Sequence, residues 1–395
     1  MRVLAAVAVV LSGAWIVYFA NYYQLDLEVY RIGVDTWLTG GNIYETLPKT
    51  SLGFTLPFIY PPISAVAMIP LTVVSFPVAS AVMAFLTVTL AAVTMAVALP
   101  ALRLSRNWLV LLPALLFLEP FRSTLFYGQV NVVLMAMVAA DCLVRTPRWP
   151  RGALVGVAAA LKLTPAAFIL FFLLRRDWKS LRNAGISFAA ATGAGFLFAW
   201  DESVEFWTKA VFTTGEKVGV GYEGNQSILG ALTRVDTTWL WPVLAVAVIA
   251  LAVAGMRRVD GPLAFAVNAL AMLLVSPISW SHHWVWCLPV LLVFFAYGQR
   301  TLALGGAVVF FAAPHWWTDS FLVNTYLYYA VLALVVVSMT TRTRLRADPT
   351  AAAAVASTPW LRLPRPRARG SAETAPDVRA AAPAPALASP PRTLD

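Results

Sequence analysis

Twelve apolar stretches divide the chain before residue 340, near 3–20, 62–75, 77–99, 107–119, 130–144, 152–174, 184–200, 238–256, 262–280, 284–298, 301–313 and 321–339. No water-soluble domain has an interior large enough to hide so many. A helix needs about 20 apolar residues to cross the hydrocarbon core, and only helices or closed barrels satisfy their own backbone there. The stretches predict an all-α integral membrane protein, a polytopic bundle of roughly 10–12 membrane helices with short re-entrant ones among them. A hydrophobic content of 60% and a mean hydropathy of +0.74 agree.

Basic clusters set the expected topology, because Lys and Arg favour the cytoplasmic side. They lie at Arg103/Arg106, Arg145/Arg148/Arg151, Arg175/Arg176/Lys179/Arg182, Arg257/Arg258, Arg300 and Arg342/Arg344/Arg346. Keeping all of them on one side makes 62–75 a short dipping helix on the outer side, broken by Pro70. It makes 152–174 a hairpin with Lys162 at its tip; the alternative is one tilted span with a paired Lys162. The N-terminus and tail then lie inside a multi-pass plasma-membrane protein. The outer face collects 21–61, 120–129, 201–237, 278–284 and 314–320. No A-x-A site lies between the end of the apolar run and Gln24, so the first stretch reads as a retained span. Residues 1–345 form one membrane domain, and the Ala/Pro/Arg-rich 346–395 reads as a disordered cytoplasmic tail. The net charge of +10 sits largely in these clusters and the tail, where it sets topology, which argues against nucleic acid; for the tail, solvation is the plainer reading beside contact with anionic lipid. Cys142 and Cys287 both lie in apolar stretches and read as buried thiols.

Five polar groups fall in or beside the outer segments. Asp26 opens "DLEVYRIGVDTWLTGG", whose apolar spacing predicts a short interfacial helix ending at Gly40-Gly41. Asp26 is expected at the N-cap, either capping the helix or acting as a general base; Glu28 and Asp35 are nearby acids. "FYGQVN" offers the amides of Gln129 and Asn131 for sugar hydroxyls, or a helix cap at Asn131. Lys162 in "LKLTP" suits an anionic group such as a lipid phosphate. "GYEGNQS" gathers Glu223, Asn225, Gln226 and Ser227, with helix capping by Ser227 or Asn225 as the plainer reading. "SWSHHW" sets His282 and His283 among Trp280 and Trp284, where imidazolium could neutralise phosphate and indoles stack on sugar. No H-x-x-x-H or H-E-x-x-H spacing supports a metal, and no phosphate-loop pattern supports a soluble nucleotide.

The order of these pieces, a first-loop acid, then "YPP", "GQVN", "GALVGVAAALKLTP…RR", "GNQS" and "SWSHHW", resembles glycosyltransferase family 87 of the GT-C superfamily over most of residues 20–340. The resemblance implies a GT-C-type bundle and an inverting transferase. It would move mannose from polyprenyl-phosphate mannose to a phosphatidylinositol mannoside, forming an α-1,2 linkage on the outer membrane face. It implies a monomer that works without metal or other cofactor. Asp26 matches the family's base. Lys162, His282 and His283 match the groups that would meet the donor phosphate, and one histidine of the pair is expected to face the site. Tyr30, Arg31, Tyr60, Gln129, Asn131, Glu223, Asn225, Gln226, Trp280 and Trp284 would line the sugar and acceptor sites. A lipomannan-branching enzyme, a transferase for another polyprenyl-phosphate sugar, and a polyprenyl-lipid transporter remain as alternatives. The one-sided polar clusters weigh against the transporter.

Overall fold

A computed structural model describes residues 2–213, 218–318 and 321–339; the tail expected from 346 onward lies outside the described residues. The described residues are helical, and their sole β-type pairing is an isolated bridge between Asn225 and Trp280. Four helices are long and apolar enough to cross a membrane: Val3–Ala20, Phe76–Ala101, Thr238–Met256 and Phe321–Met339. The pair Arg106–Leu115 and Glu119–Tyr127, bent by 66°, makes a fifth if counted as one span. Five shorter apolar helices fill in between them: Pro62–Leu71, Asn131–Leu143, Thr164–Leu174, Gly261–Val275 and Ser281–Ala296. The chain is a multi-pass, all-α membrane protein.

Gly261–Val275 is the axis of the bundle. It is apolar apart from Asn268, which donates to the Ala167 carbonyl at 3.2 Å, and buried at every position from Gly261 to Leu274, as a helix with no solvent face must be. Its core cluster includes Met95, Met135, Phe168, Trp286 and Phe294 from the surrounding elements. A second cluster packs Tyr30, Val34, Ile43, Tyr44, Phe58 and Tyr60 against Phe206. The first loop is therefore a folded layer with its own small core. Each buried large side chain there contributes roughly 1.5–3 kcal/mol.

Residues 62–75 form a short helix, Pro62–Met68, that tightens into a 3-10 turn at Ile69–Leu71 through Pro70. Residues 152–174 form the expected hairpin. The first limb, Ala153–Leu161, starts beside the start of Trp178–Phe198: Asn183 Nδ2 and Ser187 Oγ donate to the carbonyls of Arg151 and Ala153, both at 2.9 Å. The second limb ends at Leu174, only four residues before Trp178, a reach of at most about 14 Å. Both ends thus lie at one level. The chain reverses at Lys162, whose backbone is extended and leaves the helix. A single tilted span does not fit this arrangement. Gly156 permits the close contact of the first limb, since a Cβ there would run into the Ala184 carbonyl.

Candidate active site

The helix Leu25–Leu38 carries the first-loop acid. Its N-cap is Gln24, with no side-chain cap bond, so Asp26 is not the cap expected from sequence. The Asp26 carboxylate instead accepts a hydrogen bond from Gln129 Nε2. Asp26 is half-buried and lines a cavity of about 160 Å³ with Tyr30, Pro57, Tyr60, Gln129 and Trp280. Burial raises its pKa from 3.8 to about 6, while the Gln129 bond and the Lys162 charge hold it down. The neighbouring acids are elsewhere. Glu28 is tied to Tyr23, to the Ser51 amide at 3.0 Å and to the Ser51 hydroxyl at 3.2 Å. Asp35 and Glu45 are exposed.

Gln129 is fixed from behind. Its Oε1 accepts from Tyr30 at 2.7 Å and from Tyr60 at 3.1 Å, and the two phenols are 2.9 Å apart. Lys162 Nζ stands 5.1 Å from the Tyr60 ring centroid, a cation–π distance. Lys162 also donates to Asn131 Oδ1 at 3.0 Å and meets His283 Nε2 at 3.1 Å. His283 Nδ1 faces the Ile278 carbonyl at 3.3 Å. Asn131 Nδ2 in turn donates to the His282 carbonyl at 3.2 Å, which fixes the hairpin tip to the His-His segment. The His282 ring lies 4.7 Å from that of His283, with its Nε2 buried and lacking a hydrogen-bond partner among the described residues. Trp280 closes the group, its ring 5.6 Å from His282 and 5.7 Å from His283.

The structure thus brings together Asp26, Tyr30, Tyr60, Gln129, Asn131, Lys162, Trp280, His282 and His283. Five other expected sugar or acceptor residues stand apart from them. Arg31 spans two backbone carbonyls, Leu71 and Val74, and pins the turn after the dipping helix. Glu223 is exposed and offers its backbone carbonyl to Gln226 at 2.7 Å. Asn225 is fully buried, donating to Val220 and Pro277 and accepting from the Ser227 and Ser279 amides. Gln226 is likewise buried and used up, donating to Glu223 and Val323 and accepting from the Tyr326 amide. Asn225 holds the Pro277–Ser279 segment and Gln226 the Val323–Tyr326 segment, with no side-chain amide left for a sugar. Trp284 is wholly buried against Phe310 and Tyr326, its indole N–H on Ser279, so it cannot stack on a substrate. Ser227 caps the next short helix through Gly230, the plainer of its two readings.

Sequence reasoning missed two neighbours. Tyr127 sets its ring 5.4 Å from His282. Glu119 is buried behind the His-His segment and accepts from Trp316 at 3.0 Å and Tyr326 at 2.8 Å. An acid at the edge of an apolar stretch was itself the available signal for Glu119.

Two apolar grooves flank this group. One, of about 810 Å³, runs between Val3–Ala20 and Glu119–Tyr127, with Trp15, Phe19, Phe117 and Tyr127 in its walls. The other, of about 640 Å³, starts at Leu163 beside the hairpin tip and runs past Ile169, Leu173, Trp241 and Met272. Among the described residues no three His, Cys, Asp or Glu side chains are grouped to hold a metal ion.

Residues 58–277 match glycosyltransferase family 87. A polyprenol-phosphate-mannose-dependent alpha-(1-2)-phosphatidylinositol mannoside mannosyltransferase of Mycobacterium tuberculosis is 37% identical over 373 residues, 83% of this chain and 87% of the relative. The protein of the same description from Mycolicibacterium smegmatis is 41% identical over 317 residues, 71% of this chain and 72% of its own. A polyprenol-phosphate-mannose-dependent alpha-(1-2)-phosphatidylinositol pentamannoside mannosyltransferase of Mycolicibacterium smegmatis is 33% identical over 288 residues, 69% of each chain. No solved structure matches. The family match takes in Tyr60, Gln129, Asn131 and Lys162, and the relatives extend it over most of the chain: this protein belongs to glycosyltransferase family 87.

Proposed function

We propose that the protein is an inverting α-1,2-mannosyltransferase that moves mannose from polyprenyl-phosphate mannose to a hydroxyl of a phosphatidylinositol mannoside. The observation that carries this reading is that Asp26, through Gln129, and Lys162 both adjoin Tyr60, with one apolar groove starting at Leu163 beside Lys162 and another reaching Tyr127 beside His282. Both substrates are lipids, and each groove gives a lipid tail a path to the polar group. The relatives' names agree with the donor, the linkage and the acceptor class.

The chemistry follows from the two charges. Asp26 takes the proton of the acceptor hydroxyl as that oxygen attacks the anomeric carbon. The bond from that carbon to the phosphate oxygen breaks, and the electron pair leaves with polyprenyl phosphate. Attack from the face opposite the leaving group turns a β-linked donor into an α-mannoside. A base with a pKa of about 6 is ionised at neutral pH yet basic enough to accept a proton in the transition state. Lys162 is placed to balance charge on the leaving phosphate without protonating it, a stabilisation expected to be a large term. The Trp280 indole borders the space for the sugar. The reaction needs no metal or other cofactor in this scheme. The site faces outward, with the N-terminus and tail in the cytoplasm, and the plasma-membrane protein acts as a monomer.

The test is transfer by the purified protein from labelled polyprenyl-phosphate mannose to phosphatidylinositol tetramannoside, for wild type and Asp26→Asn. The wild type should transfer mannose and Asp26→Asn should not. A fully active Asp26→Asn would overturn the base, and a wild type inert on every mannoside would overturn the acceptor.

A further inference from the structure

Gln129 was expected to touch sugar, but its amide is committed on both sides. Its Oε1 accepts from Tyr30 at 2.7 Å and Tyr60 at 3.1 Å, and its Nε2 donates to Asp26 Oδ2. The amide has only one workable orientation. If flipped, it would set its oxygen against the Asp26 carboxylate, two acceptors with no hydrogen between them. With Nε2 turned to the carboxylate, the two phenols, buried to 2% and 5% exposure, donate to Oε1 and hold the amide in place. Gly128, left-handed at φ 71°, presents Gln129 at this angle. One carboxylate oxygen of Asp26 is thereby occupied. The other, Oδ1, has no partner among the described residues, and Asp26 lines the cavity beside Trp280.

We propose that Gln129, oriented by Tyr30 and Tyr60, is a positioning residue for Asp26: it locks one carboxylate oxygen and leaves the other to take the acceptor's proton. The proposal rests on the reading of Asp26 as the base. It gives the two tyrosines a role without substrate contact, since they act on Asp26 only through the amide. It also separates Gln129 from a sugar-binding residue. Loss of a sugar contact raises KM, whereas loss of base orientation lowers kcat and moves the acid limb of the rate profile. Removing the Gln129 bond takes away a contact that favours the ionised carboxylate, so Asp26 should then hold its proton to higher pH.

The experiment compares wild type, Gln129→Leu, Tyr30→Phe and the double variant, all as purified full chains. Elution and helical circular dichroism confirm that each is folded. Infrared titration follows the carboxylic C=O band that is lost in Asp26→Asn, and transfer kinetics are measured alongside. Gln129→Leu should raise the midpoint of that band by about one pH unit and lower kcat roughly 10- to 100-fold with little change in KM. Tyr30→Phe should move both quantities the same way by less, and should change neither in the Gln129→Leu background. Should Gln129→Leu fail to fold, Tyr30→Phe and Tyr60→Phe decide the matter, each expected to raise the midpoint. An unmoved midpoint, or a Tyr30→Phe effect of equal size in both backgrounds, overturns the proposal. The infrared titration needs no substrate. A wild type without mannosyl transfer would therefore count against the function alone, while the band still reports on Gln129.

Discussion

Lys162 Nζ lies 3.1 Å from His283 Nε2, and the pair can carry one positive charge but not two. An ammonium group only donates, so Nε2 must accept. The Ile278 carbonyl, 3.3 Å from Nδ1, only accepts, so the ring proton sits on Nδ1. His283 is a neutral imidazole that aims the lysine. The imidazolium anticipated from "SWSHHW" is absent at this position. In the proposed mechanism, charge for a leaving phosphate would come from Lys162 at the hairpin tip.

Lys162→Met should therefore lower transfer by about 100-fold or more, measured as kcat with saturating donor. Lys162→Arg should rescue little, because a planar five-donor guanidinium does not replace a compact ammonium held between Asn131, His283 and the Tyr60 ring.

The rate of transfer should rise with pH through about 6 and then level off, because Asp26 works only when ionised. A kcat/KM profile from about pH 4.5 to about 8 in lipid nanodiscs checks this, and a flat profile would count against Asp26 as the base. The sign for stability is opposite. With its folded pKa raised above 3.8, Asp26 contributes stability below that value and loses it as pH rises through about 6.

Gly128→Ala should damage the base without touching it. The new Cβ would stand 2.6 Å from Gln24 Oε1 and 2.9 Å from Leu27 Cβ, at a φ that disfavours any side chain. The helix bearing Asp26 must then move away from Gln129. Transfer should drop roughly tenfold, with an acid limb shifted upward as for loss of the amide.

Asn225→Ala and Trp284→Ala should act on the fold. The first leaves the Ser227 and Ser279 amides and the Val220 and Pro277 carbonyls without their shared partner. The second opens a cavity against Phe310 and Tyr326. Costs of about 2–4 kcal/mol and about 3–5 kcal/mol are expected, seen as lower midpoints in thermal unfolding. Unchanged midpoints with a raised KM would restore the sugar-binding role.

These two positions mark what the sequence could and could not convey. The apolar stretches, the Pro70 break and the hairpin were legible, because hydropathy and charge act locally. Asp26 and Lys162 stood out as charges at the edge of, or within, apolar sequence. Asn225 and Trp284 have residue types suited to sugar, and nothing within their own segments says otherwise. What consumes them is distant in sequence: the Pro277 carbonyl and Ser279 amide for Asn225, the Phe310 and Tyr326 rings for Trp284, and for neighbouring Gln226 the Val323 carbonyl. Arg31 failed for the same reason, its partners being the carbonyls of Leu71 and Val74. Such contacts exist only once the bundle is assembled.

Cysteine labelling reads the topology. Arg148→Cys and Lys179→Cys, at exposed positions beside the two ends of the hairpin, should react from one side of the membrane; Lys49→Cys should react from the other. The background would replace Cys142 and Cys287, both buried. Opposite labelling of the Arg148 and Lys179 positions would break the hairpin.

The hairpin also bears on how the protein is made. A segment that enters lipid and turns back at a lysine offers the insertion machinery neither a stop nor a complete crossing. Its first limb has the Asp141 carboxylate for its Val155 amide from a helix already synthesised, and Asn131 waits at the far end for the Lys162 ammonium. Its other flank is bare until Trp178–Phe198 emerges and supplies Asn183 and Ser187. Membrane integration of this region is therefore a joint event of three consecutive segments. A nascent chain inserted only as far as residue 175 would have a lysine with its partner but a half-crossing with only one wall.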